Sequence, residues 1–284
     1  MNNSAPILAG VVGYPVSHSL SPLIHTVWAS RAGVDGYYLP IAVQGDYEAF
    51  STAIDSLRTI GFAGVNVTLP HKEHALRYAH DATDNAASAG AANMLTFAGG
   101  ECRADNSDIA GFAEALRAKL RSDDEKKTAL VLGAGGAARG VVQALKDIGY
   151  RQILLANRTR SKAEALRGER TGISVINWSD RNWALRDADL VVNTTSLGMT
   201  GQPPLEMELP RLRKTAIVAD IVYSPLETLL LQRAEGLDLR TVDGLAMLMH
   251  QAVPGFRAWF KGPADVDDAL RDTLTAELER RAQS

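Results

Sequence analysis

The stretch Leu130-Val131-Leu132-Gly133-Ala134-Gly135-Gly136-Ala137-Ala138-Arg139 decides the fold. Its first residues complete an apolar run from Ala129 that reads as a buried strand. Residues from about Ala137 to Ile148 then follow helical spacing. Between the two stands G-x-G-x-x-A, as Gly133, Gly135 and Ala138. The pattern is weak alone, but its place between a strand and a helix makes it informative. Gly133 would make the tight turn, Gly135 would let the backbone approach a pyrophosphate, and Ala138 would keep helix and strand close. The helix start, with Gly136 and Ala137, then offers free N–H groups and a partial positive charge to an anion.

Working outward, Gln152–Ala156, Asp189–Asn193 and Ile217–Ile221 read as further strands with helical stretches between them. This alternation predicts a Rossmann-type, doubly wound parallel sheet covered on both faces. The tip of the Gln152–Ala156 strand discriminates the cofactor. An NAD-binding fold usually places Asp or Glu there to bond the ribose hydroxyls. Here the chain continues Asn157-Arg158-Thr159-Arg160-Ser161-Lys162, with three cations and no acid. A guanidinium can hold a 2′-phosphate by two hydrogen bonds, so NADP(H) is expected. Arg158, directly after the strand, is the hardest of the three to explain as a surface cation. The loop Asn193-Thr194-Thr195-Ser196-Leu197-Gly198-Met199 follows the next strand. Ligands in such sheets bind beyond the carboxyl ends of strands, which would put this loop beside the nicotinamide. By composition alone, an ordinary turn-rich loop explains it equally well.

The first half alternates in a similar way. Ile7–Val12, Tyr37–Val43 and Gly64–Leu69 read as strands, and Pro22–Ala32, Tyr47–Ile60 and Lys72–Ala79 as helices. Ala91–Phe97 and Glu101–Ala104 read as a strand pair joined through Gly99–Gly100. A helix over Asp108–Leu120 and a charged run, Arg121–Lys127, lead into the second half. After Leu245 the pattern is helical, over Ala246–Phe260 and Val266–Arg281. The expected architecture is two α/β domains. A substrate domain takes residues 1–107 with 246–284, a dinucleotide domain takes 108–245, and the active site lies in the cleft between them.

Composition limits the partners. The 284 residues carry a net charge of −3, with acids and bases mixed along the chain, so nucleic acid is not expected. The single cysteine, Cys102, excludes an internal disulfide and a cysteine metal cluster, and fits a reducing cytoplasm. The start, MNNSAPILAGVVGYP, lacks the basic region of a signal peptide. No stretch approaches the roughly 18 apolar residues of a membrane span. A cytoplasmic monomer or homodimer acting on a small molecule is expected. His71 and His74 have helical i, i+3 spacing, but no acidic third ligand is evident and HExxH is absent, so no metal is expected. His18 and His25 read as packing or capping residues, and Met247, Met249 and Trp259 as helix core.

Three segments of the first half carry chemistry. In Gly13–His25, Ser21 before Pro22 reads as a helix N-cap. Ser19 and Ser21 together would present two hydroxyls at a helix start, a receptor for a carboxylate. The second segment is Asn66-Val-Thr-Leu-Pro-His-Lys72. The third is Asn93 with Asp105-Asn106-Ser107-Asp108. With these the motifs HSLSP, NVTLPHK, GAANML, DNSD, GAGGAAR, NRT, NTTSLGM, DIVYSPLET and DGLAMLMHQAVPGF stand in order along the chain. In that order they resemble the shikimate dehydrogenase family over essentially the full length.

The resemblance implies reduction of the ring ketone of 3-dehydroshikimate by NADPH. It implies a catalytic pair at Lys72 and Asp108, and carboxylate-binding hydroxyls at Ser19 and Ser21. Thr68, Asn93 and Gln251 would surround the ring hydroxyls, with Tyr223 near the substrate. Asn157, Arg158 and Thr159, with Lys162, would clamp the adenosine phosphate. Thr194, Ser196, Met199 and Gly244 would contact the cofactor. A lysine beside a carboxylate can deliver a proton or hold the water that does, and its charge stabilises a developing alkoxide. The titrations of the two would be coupled, which leaves the proton's owner open. A cation in a helix's first turn opposes the dipole, a placement that favours a functional role for Lys72. One position departs from the family. Where Asn-Thr-Asp-Gly is usual, this chain has Asn106-Ser107-Asp108-Ile109, and β-branched isoleucine lacks glycine's backbone freedom. A reshaped pocket is therefore expected. Two other readings compete: a paralogue acting on quinate or an amino-shikimate analogue, and a silent NADP-binding sensor. Quinate-preferring relatives tend to use NAD, which the Asn157–Thr159 cluster opposes. The presence of both Lys72 and Asp108 opposes the sensor.

Overall fold

The computed structural model describes residues 5–283. The chain forms two compact units. One holds the residues up to Ile109 together with Met249–Leu274, and the other holds Ala110–Leu248 and the residues from Thr275.

The first unit is built on β1 (Ile7–Gly13), α1 (Ser21–Ala32), β2 (Gly36–Ala42), α2 (Tyr47–Thr59), β3 (Phe62–Val67), α3 (Lys72–Tyr78), β4 (Asp81–Ala82), α4 (Asp84–Ala89), β5 (Met94–Ala98) and β6 (Glu101–Asp105). Its sheet runs β2-β1-β3-β5-β6-β4. The pairs β1–β2, β1–β3 and β4–β6 are parallel, and β3–β5–β6 are antiparallel. The central β1, ILAGVVG, is apolar on both faces, as a strand covered by helices must be. The β5–β6 turn falls on Gly99 and Gly100, at φ 59° and 83°, the left-handed pair that a tight hairpin requires. α2 starts where the Asp46 side chain accepts from the amides of Glu48 and Ala49. It buries Phe50, Ile54 and Leu57 in a core with Val65, Leu95 and Cys102. Each large side chain so buried contributes about 1.5–3 kcal/mol. β4 and α4 are absent from the sequence expectation: a two-residue strand shows no periodicity, and DNAASA has no apolar stripe. α4 is instead fixed at its ends, by Thr83 accepting from Ala86 N and by left-handed Gly90.

The second unit contains β7 (Thr128–Leu132), α6 (Gly136–Ile148), β8 (Gln152–Ala156), α7 (Arg160–Arg167), β9 (Ile173–Ile176), α8 (Arg181–Ala184), β10 (Leu190–Asn193), β11 (Ile217–Asp220), α9 (Leu229–Glu235) and β12 (Arg240–Val242). Before it comes α5 (Ser107–Arg117), and after it α10 (Gly244–Phe260) and α11 (Asp268–Ala282). All six strands are parallel, in the order β12-β11-β10-β7-β8-β9. Numbered within the unit and read from the β9 edge this is 3-2-1-4-5-6, the doubly wound Rossmann order, which reverses between β7 and β10. The apolar faces of β7, β10 and β11 are buried with Leu185, Leu209, Leu230 and Leu231. Among the described residues, no helix is long and apolar enough to cross a membrane.

Candidate active site

In the first unit, the chain leaves β3 and turns through Thr68–His71 into α3, of which Lys72 is the first residue. The turn is fixed on both sides. Thr68 N–H donates to the Val12 carbonyl at 2.8 Å, and Tyr14 N–H to the Leu69 carbonyl at 2.9 Å. His71 is buried, with Nε2 2.8 Å from the Val43 carbonyl and Nδ1 3.0 Å from His74 Nδ1. A ring nitrogen facing a carbonyl must carry the proton, so His71 accepts at Nδ1 and His74 donates. Lys72 Nζ then donates to Asp108 Oδ2 at 2.6 Å, and the two residues are only 9% and 5% exposed. Asp108 Oδ1 accepts from Asn93 Nδ2 at 2.7 Å, and its amide donates to Asn106 Oδ1 at 3.2 Å. Asn93 Oδ1 accepts from Ser107 N at 2.7 Å, and its Nδ2 reaches toward Gln251 Oε1 at 3.5 Å. Lys72, Asn93, Asp108 and Gln251 are thus one cluster, in which the carboxylate is met by donors on both oxygens. Removing one partner of such a buried pair leaves an uncompensated charge, at a cost of about 3–5 kcal/mol.

Ser19 and Ser21 stand at the start of α1, but Ser21 is not the N-cap the sequence led one to expect. The helix begins at Ser21, Leu20 occupies the N-cap position, and no side chain caps in the usual way. Ser19 supplies the local acceptor instead: its Oγ receives Ser21 N–H at 3.2 Å. A turn in which Ser19 N–H bonds the Val16 carbonyl folds that oxygen back over the helix start. Ser21 hydrogen-bonds through its side chain to Tyr38, whose hydroxyl is held protonated by burial. Tyr38 donates to Asn66 Oδ1 at 2.7 Å, and Asn66 Nδ2 donates to the Asn93 carbonyl at 3.1 Å. A hydrogen-bonded chain therefore runs from Ser21 to Asn93 and Asp108. Neither Tyr38 nor Asn66 is among the expected site residues, although Asn66 opens one of the motif segments. Asn66 carried the only available signal, an amide inside an otherwise apolar strand.

Ile109 follows Asp108 within α5 and is buried. Its helical backbone is one that a β-branched residue accepts, so glycine's freedom is not needed there.

In the second unit, the glycines divide their work. Gly133 has φ 110°, and a Cβ there would stand 2.5 Å from Thr194 Oγ1. Thr194 itself donates N–H and hydroxyl to the Leu132 carbonyl, at 2.8 and 2.7 Å, closing the gap between β7 and β10. Gly135 is the N-cap of α6 and makes no side-chain cap; a Cβ there would meet nothing within 4 Å. The first amides of α6, from Gly136 and Ala137, lack intrahelical acceptors and face that open space. Ala138 is fully buried. At the tip of β8, Asn157 Nδ2 donates to the Thr159 carbonyl at 2.8 Å and shapes the turn. Arg160 is engaged by Glu164 and Asn177, both at 2.8 Å. Arg158 and Lys162 are exposed, and among the described residues their side chains have no hydrogen-bond or ion-pair partner. Of three neighbouring cations, one is structural and two remain for a ligand. An open helix start beside two uncommitted cations fits a pyrophosphate with a further phosphate.

Ser196 and Met199 lie in the loop after β10, closed by Met199 N–H to the Ser196 carbonyl at 3.2 Å. Tyr223 lies in the loop after β11, half-buried, and burial pushes its hydroxyl pKa up. Gly244 opens α10, where a Cβ would run into the Ile221 carbonyl oxygen. That contact alone requires glycine.

A family model described as "Shikimate dehydrogenase substrate binding domain" matches residues 11–95. Another, "Shikimate / quinate 5-dehydrogenase", matches residues 115–224. The shikimate dehydrogenase (NADP(+)) of Jannaschia sp. (strain CCS1) is 48% identical over 273 residues, covering 95% of this chain and 97% of that protein. Among solved structures, the quinate dehydrogenase from Corynebacterium glutamicum in complex with NAD has a TM-score of 0.87 at 29% identity, covering 95% of this chain and 99% of that one. The shikimate 5-dehydrogenase from Thermus thermophilus in complex with NADP(H) and shikimate has a TM-score of 0.81 at 33% identity, covering 97% and 99%.

Proposed function

Since this chain belongs to the shikimate dehydrogenase family, we propose that it catalyses the reversible, NADP-dependent reduction of 3-dehydroshikimate to shikimate. The observation that carries the reading is the buried Lys72–Asp108 pair, held from behind by Asn93 and Ser107. Bound NADPH would supply the hydride for the ring carbonyl carbon. Lys72 stands as the positive group for the developing alkoxide, and the Lys72–Asp108 pair as the source of its proton. Asp108 holds Nζ in place through the 2.6 Å bond. Ser19 and Ser21 bind the ring carboxylate, Thr68, Asn93 and Gln251 the ring hydroxyls, and Tyr223 contacts the substrate. Asn157, Arg158, Thr159 and Lys162 hold the 2′-phosphate. Gly135, Gly136 and Ala137 cradle the pyrophosphate, Gly133 and Ala138 shape the turn and packing behind it, and Thr194, Ser196, Met199 and Gly244 line the nicotinamide end.

In this reading residues 1–107 with 246–284 serve the substrate and 108–245 serve NADP. The enzyme works in the cytoplasm as a monomer or homodimer, without nucleic acid or metal. Quinate with NAD is not favoured. No acid stands at the tip of β8 to take ribose hydroxyls, and Arg158 and Lys162 are uncommitted.

Replacement of Lys72 tests the assignment. Lys72→Ala should lower kcat by about 10²–10⁴-fold, the range for losing a positioned acid–base group. NADP affinity, measured by quenching of protein fluorescence, should stay within about twofold of the parent, since Lys72 lies outside the proposed cofactor contacts. Retained turnover would remove Lys72 from the chemistry.

A further inference from the structure

β10 and β11 lie side by side, and their last residues, Asn193 and Asp220, are register partners. Both are polar and buried at the ends of strands that are otherwise apolar. Asn193 Nδ2 donates to Asp220 Oδ1 at 2.9 Å and to the Leu197 carbonyl at 3.0 Å. Asn193 Oδ1 accepts from the Thr195 amide at 3.0 Å and from its hydroxyl at 2.7 Å. The same hydroxyl oxygen accepts from Leu197 N–H at 3.1 Å. On the other side, Asp220 Oδ1 also accepts from Val222 N–H at 3.0 Å, and Oδ2 from the Thr228 hydroxyl at 2.8 Å. Thr228 is in turn the N-cap of α9.

Asp220 therefore sits at the meeting point of two loops, residues 194–199 and 221–228. Among the described residues it is met by neutral donors only, and burial raises its carboxyl to about pKa 6. A carboxylate kept in such a place without a cation is costly, and an apolar residue would serve a merely structural strand end better. We propose that Asp220 is a positioning residue for the nicotinamide end of the cofactor: through Asn193 it sets the loop of Ser196 and Met199, and through Val222 and Thr228 the loop of Tyr223. This rests on the cofactor and substrate roles given to those three residues under the proposed function. Asp220 itself touches no ligand and acts through the two loops.

Asp220→Asn keeps the shape but removes the charge from the bonds to Asn193 and Val222, and the bond with Thr228 survives only in reverse, with the amide donating to the hydroxyl oxygen. The test compares two ligands by calorimetry. NADP carries both ends of the cofactor, whereas adenosine 2′,5′-bisphosphate carries the clamped phosphate and no nicotinamide. The expected result is NADP binding weakened about tenfold or more, the size of a lost charge-assisted hydrogen bond. Binding of the bisphosphate should stay within about twofold, because its contacts lie at the tip of β8 and the start of α6, away from the two loops that Asp220 joins. Equal weakening of both ligands would assign Asp220 to general stability, and unchanged NADP binding would remove it from positioning altogether. Should Asp220→Asn not fold, Thr228→Val removes the hydroxyl that Oδ2 holds, with Thr228→Ser as the variant that restores it. The same selective loss with valine and its rescue by serine are expected. If the parent binds neither ligand, the functional reading fails with the proposal. If it binds both and the variants change neither, the proposal alone falls.

Discussion

Lys72 is disfavoured by its surroundings in two ways, by burial and by the positive end of α3. Asp108 at 2.6 Å offsets both, and Asn93 and Ser107 fix the carboxylate in turn. A group kept at such a local cost points to chemistry more strongly than an exposed one. His25 shows the opposite case, a titratable residue whose ring nitrogens meet no hydrogen-bond partner among the described residues. It is stacked 3.8 Å from Tyr38, and neither ring nitrogen has a hydrogen bond. Burial lowers its pKa to about 3 from 6.5. The folded protein thus keeps His25 neutral while the unfolded chain takes up a proton below its ordinary pKa. Its contribution is complete above pH 6.5 and is lost as pH falls toward 3. His25→Phe removes two buried unsatisfied nitrogens and the proton uptake together. It should raise stability at neutral pH by about 1–2 kcal/mol, with a gain that grows as the solution is acidified. Urea midpoints of both proteins across this range check it. A loss of stability at every pH would mean that the nitrogens are satisfied in solution.

At the scale of elements, the β7–α6 turn separates folding from binding. Gly133 is required by φ 110° and by the Thr194 contact, whereas Gly135 faces open space with an extended backbone that any residue adopts. Serine is a better helix N-cap than glycine. Gly135→Ser should therefore leave the melting temperature unchanged or slightly raised, yet weaken NADP binding at least about tenfold by filling the cradle. Gly133→Ala should lose stability by about 1–3 kcal/mol through strain at positive φ. Thermal melts and NADP titrations on both variants separate these effects. If Gly135→Ser bound NADP as tightly as the parent, the cradle would lie elsewhere.

The glycine pattern was legible in sequence because each step of it has a backbone cause. So were Lys72 and Asp108, as residues inside recognisable motifs. The start of α1 is ambiguous in sequence because SLSP offers two serines at compatible spacing, and only the Val16–Ser19 turn shows which one reaches back. β4, with two residues, and α4, with no apolar stripe, leave no periodic signal. Tyr38 reads as a core aromatic from sequence. Its link between Ser21 and Asn66 comes from β2 and β3 flanking β1 in the sheet, a placement that periodicity does not encode.

At the scale of the whole molecule, the two sheets solve the same burial problem differently. The second is wholly parallel, with its order reversing between β7 and β10, and ligands of such sheets bind beyond the carboxyl ends at that reversal. The first mixes parallel strands with an antiparallel hairpin, so that the ends of β3 and β6 bring Lys72 and Asp108 together across a gap of 36 residues. Alternation of strands and helices along the chain is enough to read the α/β class, but strand order depends on long-range pairing and had to come from the structure. The proposed reduction of 3-dehydroshikimate with NADPH is tested most directly by kcat/KM for shikimate and for quinate, each with NADP and with NAD, followed by the absorbance of reduced nicotinamide. Shikimate with NADP should exceed every other pair by at least about tenfold, the discrimination expected from a phosphate clamp and a pocket with matched hydrogen bonds. A preference for quinate or for NAD, or no turnover by protein that binds NADP, would contradict it.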